Sequence, residues 1–124
     1  MLVISALGAL IGTCAPSSAQ QSMYNLIQGS WVNDDSSSTG ANRGFVIDNH
    51  RNVYTRNGGL QGRITESGKW GSNFIFEGQF SRGDFICAYD VTFVEGDRMA
   101  RFRVVHESPL GVACPDGRFV RSIN

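Results

Sequence analysis

Apolar and polar residues alternate with a period of two along most of this sequence, and turn residues interrupt the alternation at short intervals. Such alternation places one row of side chains on each face of a strand, so it predicts strands with one buried and one solvated face. The segment 84–93 shows the pattern most clearly. Its apolar row, which we predict faces inward, consists of Phe85, Cys87, Tyr89, Val91 and Phe93.

The sequence predicts about eight strands joined by short links, and short links connect antiparallel neighbours. No helical period runs long enough for a packed helix, although residues 24–28 suit a short helical turn. An up-and-down meander of this length closes into a barrel without exposed edge strands. The fold class is therefore an all-β antiparallel barrel, with a two-sheet β-sandwich as the alternative. The predicted strands cover residues 29–33, 44–48, 53–56, 60–66, 73–80, 84–93, 98–106 and 118–122.

Residues 1–19 differ in character from the rest of the chain. An apolar run over 2–11 gives way to small residues, with Ser17 and Ala19 at the spacing that a signal peptidase recognises. We interpret 1–19 as a cleaved secretion signal and 20–124 as a single β-barrel domain, secreted or periplasmic. The apolar run is too short to span a bilayer. Cys14 allows a second interpretation, in which it is the acylated cysteine of a lipoprotein.

Charge and cysteine content exclude several classes of protein. The chain has 11 acidic and 11 basic residues, so no overall field directs it to nucleic acid or to an anionic membrane. Two cysteines, Cys87 and Cys114, follow the signal segment. An even number of cysteines in a small exported chain predicts a disulfide bond. Because the sequence has no Cys/His metal pattern, we predict no metal site and no cofactor.

The histidines do not form a recognisable catalytic set. His50 lies in a predicted turn and His106 at a predicted strand end. Together with Asp90 and Ser108 they show no spacing typical of a nucleophile, base and orienting acid. We therefore interpret both histidines as surface residues and predict that the protein is not an enzyme.

Two surface features suit either binding or plain solvent exposure. The polar segment 33–43 is the longest in the predicted mature chain and forms either a binding loop or a solvated connector. Arg101 and Arg103 face outward in the predicted seventh strand. They form either a basic patch for an acidic partner or part of the solvated barrel exterior.

The tripeptide Gly29-Ser30-Trp31 opens the first strand, and Arg118 and Arg121 lie in the last one. A Gly-x-Trp opening with a late arginine resembles the calycin superfamily, which includes lipocalins, avidins and small bacterial metalloprotease inhibitors of the Inh type. The resemblance implies a lipocalin-like barrel whose floor is closed by the Trp31 indole beneath one of the two arginines. It gives structural roles to Gly29, Trp31, Arg118 and Arg121.

Two branches of the superfamily imply particular contacts. The opening through Asn33 resembles that of avidins, in which the matching asparagine and a following serine contact biotin. The resemblance implies Asn33 and Ser36 as ligand contacts, with Tyr54 as a third. In Inh-type inhibitors the segment before Gly-x-Trp inserts into the protease cleft, which implies the same use for residues 20–28.

The inward aromatic rings either line an apolar pocket or form a packed core. We hypothesise a non-enzymatic, exported, lipocalin-like protein that binds a small apolar or amphipathic ligand. The alternative is an Inh-like protease inhibitor or another protein-binding module, so the partner is either a small molecule or a protein such as a protease. The predicted ligand-binding residues are Asn33, Ser36, Tyr54, Phe76, Tyr89 and Phe102.

Overall fold

A computed structural model describes residues 23–65 and 68–122 of the chain. Its eight strands form one closed barrel, in which consecutive strands are antiparallel and the last strand pairs with the first. This confirms the predicted up-and-down barrel, and the β-sandwich alternative is wrong. The predicted signal peptide 1–19 and Cys14 lie outside the described residues. The strands are β1 (Gly29–Asn33), β2 (Gly44–Ile47), β3 (Asn52–Thr55), β4 (Gln61–Thr65), β5 (Phe74–Phe80), β6 (Gly83–Glu95), β7 (Met99–Ser108) and β8 (Gly117–Arg121).

The alternating apolar rows of the strands meet inside the barrel. In β2, Phe45 and Ile47 are buried while Val46 between them is partly exposed. Removing such side chains from water stabilises the fold by roughly 1.5–3 kcal/mol each. The same alternation in the other strands supplies the rest of the core. Its largest side chains are Trp31, Phe76, Phe85, Tyr89, Phe102 and Phe119.

Strands β4 and β5 approach closely at Gly62 and Gly78, which are register partners. A Cβ atom on Gly62 would lie 2.4 Å from the carbonyl oxygen of Glu77, and one on Gly78 would lie 2.2 Å from that of Gln61. Only glycine permits this approach between the two backbones. Gly62, which lies within the predicted strand 60–66, is therefore required in this part of the barrel wall.

One part of the outer wall is covered rather than solvated. Ile75 and Ala88 face outward, yet they are only 2% and 0% exposed. They share a rung of the sheet with His106. A 3₁₀ turn, Lys69–Gly71, connects β4 to β5 and packs against β6 and β7. The indole of Trp70 in this turn stacks on His106, so the turn lies over the rung that strict alternation would leave in water.

The end of the barrel at which β1 begins is here called the base, and the opposite end the top. Residues 23–27 form a short helix at the base. Ile27 is fully buried, and its carbonyl accepts a hydrogen bond of 2.8 Å from the indole nitrogen of Trp31. The guanidinium carbon of Arg121 lies 4.4 Å from the Trp31 ring centroid, and the same group donates to the carbonyl of Gln28. The base is thus covered by a helix, an indole and a guanidinium.

The top is covered by the loop 109–116 between β7 and β8. Val112, Cys114 and Pro115 of this loop are buried. A disulfide bond joins Cys114 to Cys87 on the inner face of β6, with the two Cα atoms 5.8 Å apart. This confirms the predicted pairing, and it fixes the loop covalently over the barrel interior.

Candidate functional site

The interior of the barrel is occupied by aromatic rings that touch one another. Phe102 of β7 lies at the centre, 5.4 Å from the centroid of Trp31 and 4.9 Å from that of Phe45. Phe76 of β5 lies 5.5 Å from Phe85 and 6.1 Å from Tyr89. These are contact distances for edge-to-face and stacked rings. The rings named as candidate pocket walls therefore pack against each other as a core.

The hydroxyl of Tyr89 is the polar atom that this core leaves without compensation. It is buried and has no hydrogen-bond partner among the described residues. Burial raises the pKa of the Tyr89 phenol well above its ordinary value, and the carboxylates of Asp116 and Glu107 raise it further. A buried hydroxyl without a partner is unfavourable. It marks the interior position at which a small polar group would be stabilised.

The six predicted ligand-binding residues do not share one surface. Phe76, Tyr89 and Phe102 lie together in the interior. Tyr54 lies on the outer face of β3, between the buried residues Val53 and Thr55. The alternation within β3 was the signal that places Tyr54 outside.

The two polar candidates lie at the top of the barrel. Asn33 ends β1, and its side-chain oxygen accepts a hydrogen bond of 2.7 Å from the backbone nitrogen of Asp35. This is an Asx turn, which opens the polar loop toward β2. Ser36 is exposed in the same loop. Asn33 and Ser36 thus face a loop and solvent, apart from the interior rings.

The two terminal arginines have different positions. Gly117, Phe119 and Arg121 occupy one face of β8, and Arg118 occupies the other. Arg121 therefore reaches Trp31 at the base, whereas Arg118 lies on the outer wall. Gly29 provides room for the stack, because a Cβ atom there would lie 3.2 Å from a guanidinium nitrogen of Arg121.

The segment before β1 is bound to the barrel where the structure describes it. Tyr24 donates its hydroxyl proton to the carbonyl of Asp48 at 3.0 Å and accepts a hydrogen bond from the backbone nitrogen of Arg51 at 3.1 Å. The Arg51 guanidinium lies 4.5 Å from the Tyr24 ring centroid. The Inh-like alternative implies that residues 20–28 insert into a protease cleft, and residues 23–28 would first have to leave these contacts.

The outer wall carries two surfaces of opposite chemistry. A groove of about 430 Å³ lies on β5 and β6, lined among others by Glu77, Gln79, Asp84 and Ile86. Gln79 donates to Asp84 across it at 3.2 Å. The groove thus presents two carboxylates beside an apolar side chain.

The second surface is a row of three exposed arginines on β7 and β8, here called the arginine row: Arg101, Arg103 and Arg118. Arg103 pairs with Asp90 at 3.1 Å, and Arg118 lies 3.6 Å from a carboxylate oxygen of Asp34. Arg101 stands directly opposite Arg118 in the sheet register. The row therefore carries more positive than negative charge, although the chain as a whole is neutral.

The stack of Trp70 on His106 was missed by the sequence analysis. The two rings are parallel within 6°, with centroids 4.0 Å apart. The signal available was a tryptophan in a turn flanked by Gly68 and Gly71, since a large apolar residue in such a turn must find a surface to cover. The sequence does not show that the covered surface is His106, because this depends on how far the turn folds back over β6 and β7.

The described residues contain neither a cluster of metal ligands nor a membrane-spanning helix. Within 23–65 and 68–122, no three His, Cys, Asp or Glu side chains lie together in a way that suits a metal ion. No helix among these residues has the length and apolar character to cross a bilayer.

Comparison with known proteins supports the architecture. No protein-family model matches the chain, and no curated protein sequence matches it. The crystal structure of pallilysin from Treponema pallidum matches with a TM-score of 0.50 and 14% sequence identity, over 98% of this chain and 100% of that one. A likeness at this identity shows a shared small β-barrel fold. The calycin resemblance stays a prediction.

Proposed function

We propose that this protein is an exported, non-enzymatic binding protein that contacts its partner with the outside of the barrel. The observation that carries the proposal is the state of the interior. Rings in mutual contact occupy it, a helix covers the base, and the loop 109–116 covers the top. A partner therefore meets the outer wall and the loops first.

Export is supported by the disulfide bond. Disulfides persist in oxidising compartments and are rare in the cytosol. Cys87 and Cys114 are joined within the folded barrel, which supports export of a chain whose signal over 1–19 is cleaved. Fractionation of the source cells should place the protein, with both thiols oxidised, outside the cytoplasm. Recovery in the cytoplasm with free thiols would contradict this part of the proposal.

The outer surface offers apolar as well as charged contacts. Leu110 is 85% exposed at the tip of the loop 109–116. The turn beneath it is closed by a hydrogen bond of 3.1 Å from the backbone nitrogen of Val112 to the carbonyl of Pro109. An exposed apolar side chain on a fixed turn loses little conformational freedom when a partner covers it.

A non-enzymatic role is supported by the separation of the two histidines. His50 lies in the turn between β2 and β3. His106 lies on the outer face of β7, where Trp70 covers one face of its ring. Neither is hydrogen-bonded to a serine, cysteine or threonine hydroxyl or thiol within the described residues, as a general base beside a nucleophile would be.

A second candidate function is the binding of a small amphipathic ligand inside the barrel. It is favoured by one observation, the unpartnered hydroxyl of Tyr89. A ligand with a polar group at this hydroxyl and an apolar body among the rings would give the hydroxyl a hydrogen-bond partner and would contact the apolar rings. It would require the rings or the loop 109–116 to move, because both occupy the space in the present arrangement.

Native mass spectrometry of the purified protein separates the two candidates. The proposal predicts the mass of the oxidised mature chain alone, and no displacement of a fluorescent fatty-acid probe from the interior. A stoichiometric small molecule that leaves only on unfolding would contradict outer-surface binding and support the interior site. The variant Tyr89→Phe is the matched control, since it removes the hydroxyl and retains the ring.

A further inference from the structure

The turn Lys69–Gly71 holds an aromatic ring on the outer wall in an unusual way. Trp70 has φ 57° and ψ 23°, a left-handed conformation that bulky residues rarely adopt. Such backbone conformations persist where the surroundings impose them, and they are concentrated at binding and catalytic sites. Here the conformation places the indole flat on the imidazole of His106. The ammonium nitrogen of Lys69 lies 5.8 Å from the indole centroid.

The need to cover the outer wall explains only part of the way in which Trp70 is held on His106. The turn lies over the rung that contains Ile75 and Ala88, which are buried. Nevertheless 45% of Trp70 remains exposed to solvent. A smaller apolar residue in an ordinary turn would cover the rung without leaving half of an indole in water. The exposed indole, supported from behind by His106, is a flat apolar surface available to a ligand.

The arginine row lies on the same wall and carries an electrostatic cost. Arg101 and Arg118 are exposed and directly opposite each other, a position at which like charges destabilise a sheet. Arg101 has no ion pair or hydrogen bond to another side chain within the described residues. Asp90 and Asp34 offset the charges of Arg103 and Arg118, whereas nothing offsets that of Arg101 within the described residues. The row therefore keeps a net positive charge that a negative group from outside the chain would balance.

The indole and the arginines follow one strand. His106, Arg103 and Arg101 all project from the outer side of β7, and the distance along the strand from His106 to Arg101 is about 17 Å. Guanidinium groups bind carboxylate and sulfate oxygens through paired hydrogen bonds. An indole face receives the apolar face of a ring. The two together suit an extended ligand made of rings that bear acidic groups.

We infer that the outer wall of β7, from Trp70 on His106 to the arginine row, binds an acidic glycan. The ligand is a sugar chain that carries carboxylate or sulfate groups, with one ring on the indole and its charges on Arg103, Arg101 and Arg118. This inference rests on the proposed use of the outer surface and names the class of ligand that the surface fits. The acidic groove on β5 and β6 would repel the same ligand.

Intrinsic fluorescence provides a direct measurement, because the chain has only two tryptophans and Trp31 is fully buried. Quenching by acrylamide therefore reports on Trp70. Heparin and polygalacturonate, as sulfated and carboxylated probes, should protect Trp70 from quenching, and neutral dextran should not. Polyphosphate should bind about tenfold more weakly than heparin, because it has charge but no ring for the indole.

Calorimetric titration of variants tests the residues. Arg101→Ala should weaken heparin binding about tenfold, the loss expected for one charge-assisted contact. Arg63→Ala removes an exposed strand arginine beside Glu77 on another part of the wall, and it should leave heparin affinity unchanged. Trp70→Ala should weaken heparin binding but leave the weaker binding of polyphosphate unchanged.

Three results would overturn the inference: no binding of either glycan, equal losses in Arg101→Ala and Arg63→Ala, or polyphosphate binding as tight as heparin binding. The last would make the row a general polyanion surface. Each is distinguishable from failure of the proposed function. A small molecule retained inside the barrel contradicts that function in native mass spectrometry, whatever heparin does to Trp70. If neither glycan binds and native mass spectrometry shows no retained small molecule, only the assignment of an acidic glycan as the ligand is overturned.

Discussion

The two ends of the barrel are closed by different means. At the base, the indole of Trp31 lies between the carbonyl of Ile27 and the guanidinium of Arg121, and every contact is noncovalent. At the top, the loop 109–116 is held by the disulfide Cys87–Cys114, whose cysteines are 27 residues apart. The base depends on the fit of a few side chains, so substitution should affect it most. The top depends on a bond that constrains the unfolded chain, so reduction should affect it most.

Trp31→Ala should have the largest effect. It empties a fully buried position and removes the hydrogen bond to Ile27. Loss of such a side chain costs about 3–5 kcal/mol of unfolding free energy. Urea denaturation, monitored by circular dichroism, measures this loss of unfolding free energy. Trp70→Ala, which removes the other tryptophan from a half-exposed position, should cost much less. Similar losses in the two variants would show that the base is not closed by its indole.

Loss of the disulfide should have the second largest effect on the unfolding free energy. The double variant Cys87→Ala with Cys114→Ala should lose about 3–4 kcal/mol, the value expected for a loop of this length. Reduction of the native protein should make the loop 109–116 sensitive to proteases while the fluorescence of the buried Trp31 stays unchanged. If reduction alters Trp31 first, the two ends are not independent.

Arg121→Ala should have an intermediate effect at the base. It removes the cation–π contact with Trp31 and hydrogen bonds to backbone carbonyls of the helix and its exit. Together these contribute about 1–3 kcal/mol. Arg118→Ala removes an arginine from an exposed position on the outer face of the same strand and should change stability by less than about 0.5 kcal/mol. Chemical denaturation of the two variants side by side decides whether position, and not charge, matters.

Tyr89→Phe should have the smallest effect at neutral pH. The hydroxyl has no partner among the described residues, so its removal should be neutral or stabilising by up to about 1 kcal/mol. The effect grows in alkali. The pKa of Tyr89 is raised in the folded state, so the unfolded chain loses this proton first and stability falls as pH rises above 10.0. Unfolding free energies measured on either side of that pH should show a steeper fall in the wild type than in Tyr89→Phe. Equal slopes would show that the phenol is not buried at the interior position assigned to it.

The strand pattern was the most predictable part of the structure. Alternation in 84–93 and the turns between strands predict an antiparallel meander, with a barrel favoured over a sandwich, and two cysteines predict the disulfide; the structure confirms the barrel and the disulfide. The calycin resemblance implies either Arg118 or Arg121 over the indole, and the face of β8 that Arg121 shares with the buried Phe119 decides for Arg121. Within the candidate site, the avidin resemblance implies Tyr54 as a ligand contact, whereas the alternation of β3 places Tyr54 on the outer face between the buried Val53 and Thr55.

Other features depend on contacts that alternation does not encode. The register of β6 and β7 shifts between Ala88 and Tyr89, which changes the partner expected on β7 by one residue. The burial of Ile75 depends on the turn Lys69–Gly71, which follows β4 and packs over the outer faces of β6 and β7. The register shift and the burial of Ile75 both result from contacts between segments that are distant in sequence. A local alternation of period two carries no information about such contacts.

The sequence alone determined an all-β antiparallel meander with one disulfide, because a two-residue period and short turns leave few other ways to bury the apolar rows. The pairing of β8 with β1 decided that this meander closes into a barrel and does not form a two-sheet sandwich. Only the tertiary structure decided what the barrel offers to a partner. It packed the rings into a core, placed Arg121 at the base and Arg118 on the wall, and set Trp70 on His106. The physical reason is the distance along the chain between the residues that interact. Alternation acts between neighbours along the chain, whereas closure of the ends and exposure of a surface depend on residues that meet from opposite ends of it.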